Sequence, residues 1–139
     1  MNLSEHQIKL VKQSWLKLRG IDPKTIADLF YTKLFTDTPS LRKMFPTDMQ
    51  QQYVKLMDML SAIVVRLENI HEMDNVITEM GDRHTKEYGV KNAHYDAVGS
   101  ALIWTLQKGL GAHWNDELAE AWLTCYQIIA HTMMHHEKK

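Results

Sequence analysis

The chain predicts an all-α protein, and three observations lead there. Apolar residues recur at helical spacing from one end of the 139 residues to the other. No segment alternates apolar and polar residues as a half-buried strand does. The breaks between periodic stretches fall at glycines, prolines and capping residues. Together they give six substantial helices and one short piece, joined by brief connections, with no internal repeat.

The first helix opens at Ser4, where Gln7 completes a capping box, and its buried stripe is Ile8, Val11, Trp15 and Leu18. Gly20 ends it. Asp22 and Pro23, cap and first helical position, start a second helix carrying Ile26, Phe30, Tyr31 and Leu34. Pro39 and Pro46 bracket Ser40 to Phe45, a connector of a turn or two that ends in an aromatic. The longest helix is expected over 48–69, with Tyr53, Leu56, Met57, Leu60, Ile63, Val64 and Leu67 on its stripe. Gln52, one turn before Leu56, lies on the same line of that helix. The next, expected over 73–87, buries Val76, Ile77, Met80 and His84. Of the last two, one shows Tyr95, Val98, Leu102 and Leu106 and stops at Gly109-Leu110-Gly111. The other is capped by Asn115 and shows Leu118, Trp122, Cys125, Ile129 and Met133.

Composition narrows the function classes. A chain of this length is most simply one domain, spanning 1–139, with enough residues for a core without disulfides. A formal charge of -1 supplies no basic field for nucleic acid or an anionic membrane. The single Cys125 fits a reducing compartment. The N-terminal residues lack the order of a signal peptide, and no uncharged run is apolar enough to span a bilayer. The expectation is a cytoplasmic protein with neither nucleic acid nor membrane as partner.

His84 is the residue that speaks most directly to chemistry. It continues the apolar stripe of Ile77 and Met80 near a helix end, just before the glycine turn Tyr88-Gly89-Val90. A neutral imidazole in that position ligates a metal through one nitrogen and is oriented through the other. Alone, a histidine on an apolar face is more often a satisfied core residue. A helical domain of this size also accommodates a flat apolar cofactor between helices, and haem needs one such ligand on one side and polar donors on the other. Tyr31 and Gln52, on different helices beside buried stripes, are donors of the right kind. His131 and His135 share a zinc-compatible spacing but bring no clear third ligand.

Several segments, in order, resemble the globins, and most of all bacterial single-domain haemoglobins and the globin part of flavohaemoglobins. They are Phe30-Tyr31-Thr32-Lys33-Leu34-Phe35, Pro39 with Met44-Phe45, and Gln52-Tyr53-Val54-Lys55-Leu56-Met57. Further on come Gly81-Asp82-Arg83-His84, Tyr88-Gly89-Val90, His94-Tyr95-Asp96-Ala97-Val98-Gly99, and Ala121-Trp122 with Tyr126. The resemblance implies a globin fold, roughly six to eight helices enclosing a haem pocket, with haem b (iron protoporphyrin IX) as cofactor. It implies His84 as proximal iron ligand and Phe45 as the aromatic against the haem face. Tyr31 and Gln52 then stand on the distal side, Leu56 over the iron, and Lys55 within reach of a haem propionate. Tyr95 and Glu137 fall where flavohaemoglobins place a tyrosine and a glutamate beside the proximal histidine. One departure lies just after the ligand: Thr85-Lys86-Glu87-Tyr88 separate His84 from Gly89, one residue more than the family pattern.

What the resemblance implies for activity is reversible binding of dioxygen and other diatomic gases, nitric oxide and carbon monoxide among them. Nitric oxide dioxygenation using a separate reductase is the enzymatic version, with catalytic candidates Tyr31, Gln52, Tyr95 and Glu137; peroxidase-like chemistry would rest on Glu137. Dioxygen storage or delivery without catalysis, and a haem-based or haem-free sensor or interaction module, are the alternatives.

Overall fold

The computed structural model describes residues 2–88 and 91–134, with backbone alone at 86–88 and 92. Helix α1 (Glu5–Leu18) begins with the expected reciprocal cap: the Ser4 hydroxyl accepts the Gln7 amide and the Gln7 side chain accepts the Ser4 amide, each at 3.0 Å. It buries Val11, Trp15 and Leu18 and ends with Arg19 as its right-handed cap, so Gly20 follows the end rather than making it. Helix α2 (Pro23–Asp37) starts on Asp22, whose carboxylate accepts the Lys24 amide at 3.0 Å, and buries Ile26, Phe30, Tyr31 and Leu34. A 3-10 turn, Pro39–Met44, then delivers Phe45 in extended conformation.

Helix α3 (Gln50–Val65) is shorter than the periodicity predicts. Its stripe does continue through Leu67 and Ile70, which are buried, but they belong to a 3-10 segment, Leu67–Met73. The α-geometry fails after Ile63-Val64-Val65, a β-branched run of low helix propensity. Arg66 then spreads its amide over the carbonyls of Ala62, Ile63 and Val64. Hydrophobic spacing survives the change of pitch, and so disguises it.

Helix α4 (Asp74–Tyr88) carries His84. Val76, expected inside, is 60% exposed while Ile77 is 1% exposed. Neighbours in sequence are about 100° apart on a helix, and the face led by Ile77, Gly81 and His84 is the one turned inward. Helix α5 (Asn92–Leu110) buries Tyr95, Leu102 and Leu106 and closes at Gly111, whose φ of 53° suits a residue without a Cβ. Helix α6 (Asp116–Met134) is capped by Asn115, which accepts the Leu118 amide at 2.8 Å. The six α-helices and three 3-10 segments leave no strand among the described residues.

Helix α2 packs on α3 and α5, α4 on α6, and α1 on α6. Where α1 meets α6, the Trp122 indole donates to the Ser14 hydroxyl at 2.9 Å, and that hydroxyl donates to the Val11 carbonyl at 2.9 Å. Every polar atom of this buried chain is thereby used, which removes the cost of sinking it in the core. No helix among the described residues is long and apolar enough to cross a membrane.

Candidate functional site

Between α2, α3, α4, α5 and α6 lies a mainly apolar cavity of about 490 Å³. Its wall on the α4 side is His84. The ring is held at Nδ1, 2.7 Å from the Met80 carbonyl oxygen one turn earlier. A carbonyl only accepts, so Nδ1 carries the hydrogen, and in the neutral ring the lone pair sits on Nε2. The same turn is tightened by the Thr85 hydroxyl, which donates to the Gly81 carbonyl at 3.1 Å. These bonds point back along α4, upstream of the extra residue noted before Gly89. Gly89 and Val90 lie outside the described residues.

Another part of the lining comes from α2, α3 and the loop between them. Tyr31 is 7% exposed and sits in an aromatic cluster. Phe30 and Phe45 meet it edge-on at 4.9 and 5.6 Å between centroids, while Tyr53 stacks on it at 5.7 Å with planes 19° apart. Tyr53 is anchored in turn, its hydroxyl donating to Asp28 at 2.7 Å; that bond, with burial second, raises its pKa. Tyr31, Phe45, Gln52, Lys55 and Leu56 all line the cavity.

Phe45 owes its position to a device that sequence reasoning missed. Arg42 Nη1 donates to the carbonyls of Phe45 and Pro46 at 3.3 and 3.0 Å, and Nη2 donates to that of Thr47 at 3.1 Å. Its guanidinium also stands 5.4 Å from the centre of the Phe35 ring. A planar fork of donors suits three successive carbonyls as a point charge does not, so one side chain fixes the whole turn after the 3-10 helix.

The floor is α5 and α6. The Tyr126 hydroxyl donates to the Tyr95 carbonyl at 2.6 Å, and burial, then the neighbouring Tyr95 and Asp96, push its pKa far up. Tyr126 passes so close to Gly99 that a Cβ there would lie 2.7 Å from the ring. Cys125 also lines the cavity, and burial raises its thiol to about 12, which keeps it neutral. Tyr95 lines the same space and is 7% exposed. Glu137, its expected partner, lies outside the described residues, as does His135.

Three further polar residues of the lining had not been singled out for the site: Arg83, His94 and Asp58. His94, in the first turn of α5, accepts the amide of the N-cap residue Lys91 on Nδ1 at 3.0 Å. That bond puts the neutral ring's hydrogen on Nε2, so the same histidine is a donor as well. Adjacency of Arg83 to His84 was the available sequence signal. No group of three or more His, Cys, Asp or Glu among the described residues is arranged to hold a bare metal ion. His84, its Nδ1 taken by a backbone carbonyl, on a mainly apolar lining matches a metal that brings its own ligands.

Comparison with known proteins decides the family. The globin family model matches residues 28–133. The chain is a globin. Zebrafish (Danio rerio) neuroglobin is 27% identical over 94% of this chain and 90% of its own length. A Bacillus subtilis flavohemoprotein is 28% identical over 83% of the chain, which spans only 29% of that larger protein. Among solved structures, an engineered carbene transferase made from a Rhodothermus marinus protein provisionally assigned as a nitric oxide dioxygenase superposes with a TM-score of 0.86. It is 27% identical, covering 99% of this chain and 94% of the other. The expected globin fold is thus shown, and membership of this family implies a haem. The cavity fits one: it is mainly apolar, partly open to solvent, lined by helices and the turn before Phe45, and bears His84 with its Nδ1 hydrogen already given to a backbone carbonyl.

Proposed function

We propose that this globin binds haem b through His84 and reversibly takes up dioxygen, nitric oxide and carbon monoxide. The observation that carries the reading is a single cavity with the Nδ1-bonded His84 on one wall and Tyr31 and Gln52 on another. When bound, haem supplies a ferrous iron with one open position for a diatomic gas.

The chain's own residues do the rest. The Met80 carbonyl accepts from His84 Nδ1, which would make Nε2 the ligating atom, and a ring fixed in this way would be a stronger, better-aligned ligand. Tyr31 and Gln52 would be the hydrogen-bond donors to a gas held in this cavity. Donors already in place in an apolar cavity stabilise developing negative charge without reorganising. Phe45 would pack against the cofactor, and Leu56 would add apolar surface beside it. Lys55, Arg83 and His94 Nε2 are the cationic and donor groups suited to its two carboxylates. Tyr95 sits on the lining as the candidate support on the proximal side.

The reaction this supports best is nitric oxide dioxygenation, in which dioxygen and nitric oxide combine to nitrate. Each turnover consumes one electron, which a separate reductase would supply. The likeness to the Rhodothermus marinus protein provisionally assigned as a nitric oxide dioxygenase, and to flavohemoproteins, favours it over storage.

Absorption spectra of the purified protein in the ferric, ferrous and ferrous carbon monoxide states test the cofactor and its ligand. A Soret band that shifts with carbon monoxide and is lost or altered in His84→Ala is the expected result; an unchanged band in that variant removes His84 from the iron. Nitrate formation with a supplied reductase then tests catalysis. A single turnover followed by arrest would leave a gas-binding protein without enzymatic activity.

A further inference from the structure

A second cavity, a cleft of about 400 Å³ open to solvent, lies on the other face of α3, between α1, α2 and α3. Its depth is apolar: Trp15, Leu18, Ile21, Ile26 and Met57. Its volume falls in the range of small-ligand pockets, roughly 300–1,000 Å³. At its mouth stand Arg19 and Lys24, both exposed. Neither cation forms a side-chain hydrogen bond or an ion pair among the described residues, although the Lys12, Lys17 and Lys33 side chains do. Asp58 is the one carboxylate on the lining, so the cations outnumber it. A greasy slot under two uncommitted cations is complementary to an amphipathic anion: an apolar tail that leaves water, and a headgroup that accepts a forked hydrogen bond from a guanidinium.

We propose that this cleft is a binding site for a medium-chain carboxylate, its tail between Trp15 and Met57 and its headgroup on Arg19 and Lys24. Helix α3 lies between this cleft and the His84 cavity, and Asp58 is the one residue on both linings. Tyr53 lines the cleft and stacks on Tyr31, which lines the other cavity. Occupancy is therefore felt one ring away from the face that holds Tyr31. Binding itself does not rest on the haem assignment.

The methionines let one experiment tell the two cavities apart. Met57 lines the cleft, whereas Met44, Met59, Met80 and Met133 line the His84 cavity. The protein is labelled with methyl-13C methionine, saturated with carbon monoxide, and titrated with decanoate, then with decanol. Expected is a saturable shift of the Met57 methyl with decanoate while the other four stay in place. Decanol, with the same tail and no charge, binds about tenfold more weakly or worse, the loss that goes with one charge-assisted hydrogen bond. Arg19→Gln with Lys24→Gln brings decanoate down by at least that factor. Both positions are exposed, so this double variant keeps the fold. Shifts at the Met44, Met59 and Met80 methyls instead, equal binding of decanol, or an unaffected double variant each overturn the proposal. If the purified protein held no haem, the Met57 readout would still decide it, so failure here and failure of the gas-binding reading are distinguishable.

Discussion

Gly81 and Met133 meet backbone to backbone where α4 crosses α6. A Cβ on Gly81 would lie 2.8 Å from the Met133 Cα, and closer still to its carbonyl oxygen. Backbone cannot swing aside as a side-chain tip does, so the crossing depends on a residue with no side chain. His84 follows three residues later on the same inward face, and its depth in the cavity is set by how closely α4 approaches α6.

Gly81→Ala is therefore expected to push α4 outward. Overpacking of this kind costs about 1–3 kcal/mol, although alanine's better helix propensity returns up to about 1 kcal/mol. The urea midpoint should fall, and haem should pass to a competing apo-globin acceptor faster than from the parent. An unchanged rate of haem loss would show that the crossing does not position His84.

Tyr31→Phe separates the hydroxyl from the ring. The ring contacts with Phe30, Phe45 and Tyr53 persist, so stability should stay close to the parent. The dioxygen off-rate should rise about tenfold or more, the worth of one hydrogen bond to a charged acceptor. Gln52→Leu should act in the same direction. Stopped-flow displacement of dioxygen by carbon monoxide reads both, and an unchanged off-rate in Tyr31→Phe would rule out a distal role for that hydroxyl.

Much of this fold was legible because caps and periodicity are local. Ser4 with Gln7, Asp22 with Pro23, and Asn115 each sit where they were expected, and each bonds as a cap should. Helical stripes pointed to Tyr31, Gln52, Leu56, His84 and Tyr95, and the family resemblance to Phe45 and Lys55; all seven line one cavity. What stayed hidden depends on three dimensions. Apolar spacing does not distinguish an α-turn from a 3-10 turn, so the end of α3 at Val65 was overrun. Val76 is apolar beside a buried residue and was misplaced for that reason. Arg42 looks like any surface arginine until the three carbonyls it gathers are seen in space. Nor does the need for glycine at 81 and 99 show before α6 is laid against α4 and α5.

The Ser14 hydroxyl links α1 to α6 from inside the core, accepting from Trp122 and donating to Val11. Ser14→Ala leaves a buried indole N–H without its partner. The expected loss is about 1–3 kcal/mol of unfolding free energy. Since Trp122 also lines the His84 cavity, the same variant should shift the Soret maximum slightly. Chemical denaturation followed by far-ultraviolet circular dichroism measures the first effect, and full retention of stability would mean the indole finds another acceptor.

Alkaline pH should unfold the protein through groups on the cavity floor. Burial raises the Cys125 thiol from 9.0 to about 12, and Tyr126 is raised from 10.0. In both the neutral form is favoured in the folded state. Their contribution is complete below the unfolded pKa and is lost as pH climbs toward the folded one, because the unfolded chain releases protons first. The window opens near pH 9.0 with Cys125, and Tyr126 joins it from 10.0 upward. Unfolding free energies should hence be steady between pH 7 and 8.5 and decline steeply above 9. Cys125→Ala should flatten the slope just above pH 9 while costing about 1 kcal/mol at neutral pH for the atom removed. Tyr126→Phe should leave that first stretch intact, relieve the decline above pH 10, and lose the bond to the Tyr95 carbonyl. Urea titrations at half-unit pH steps separate the two, and parallel curves for parent and both variants would place the alkaline transition elsewhere in the molecule.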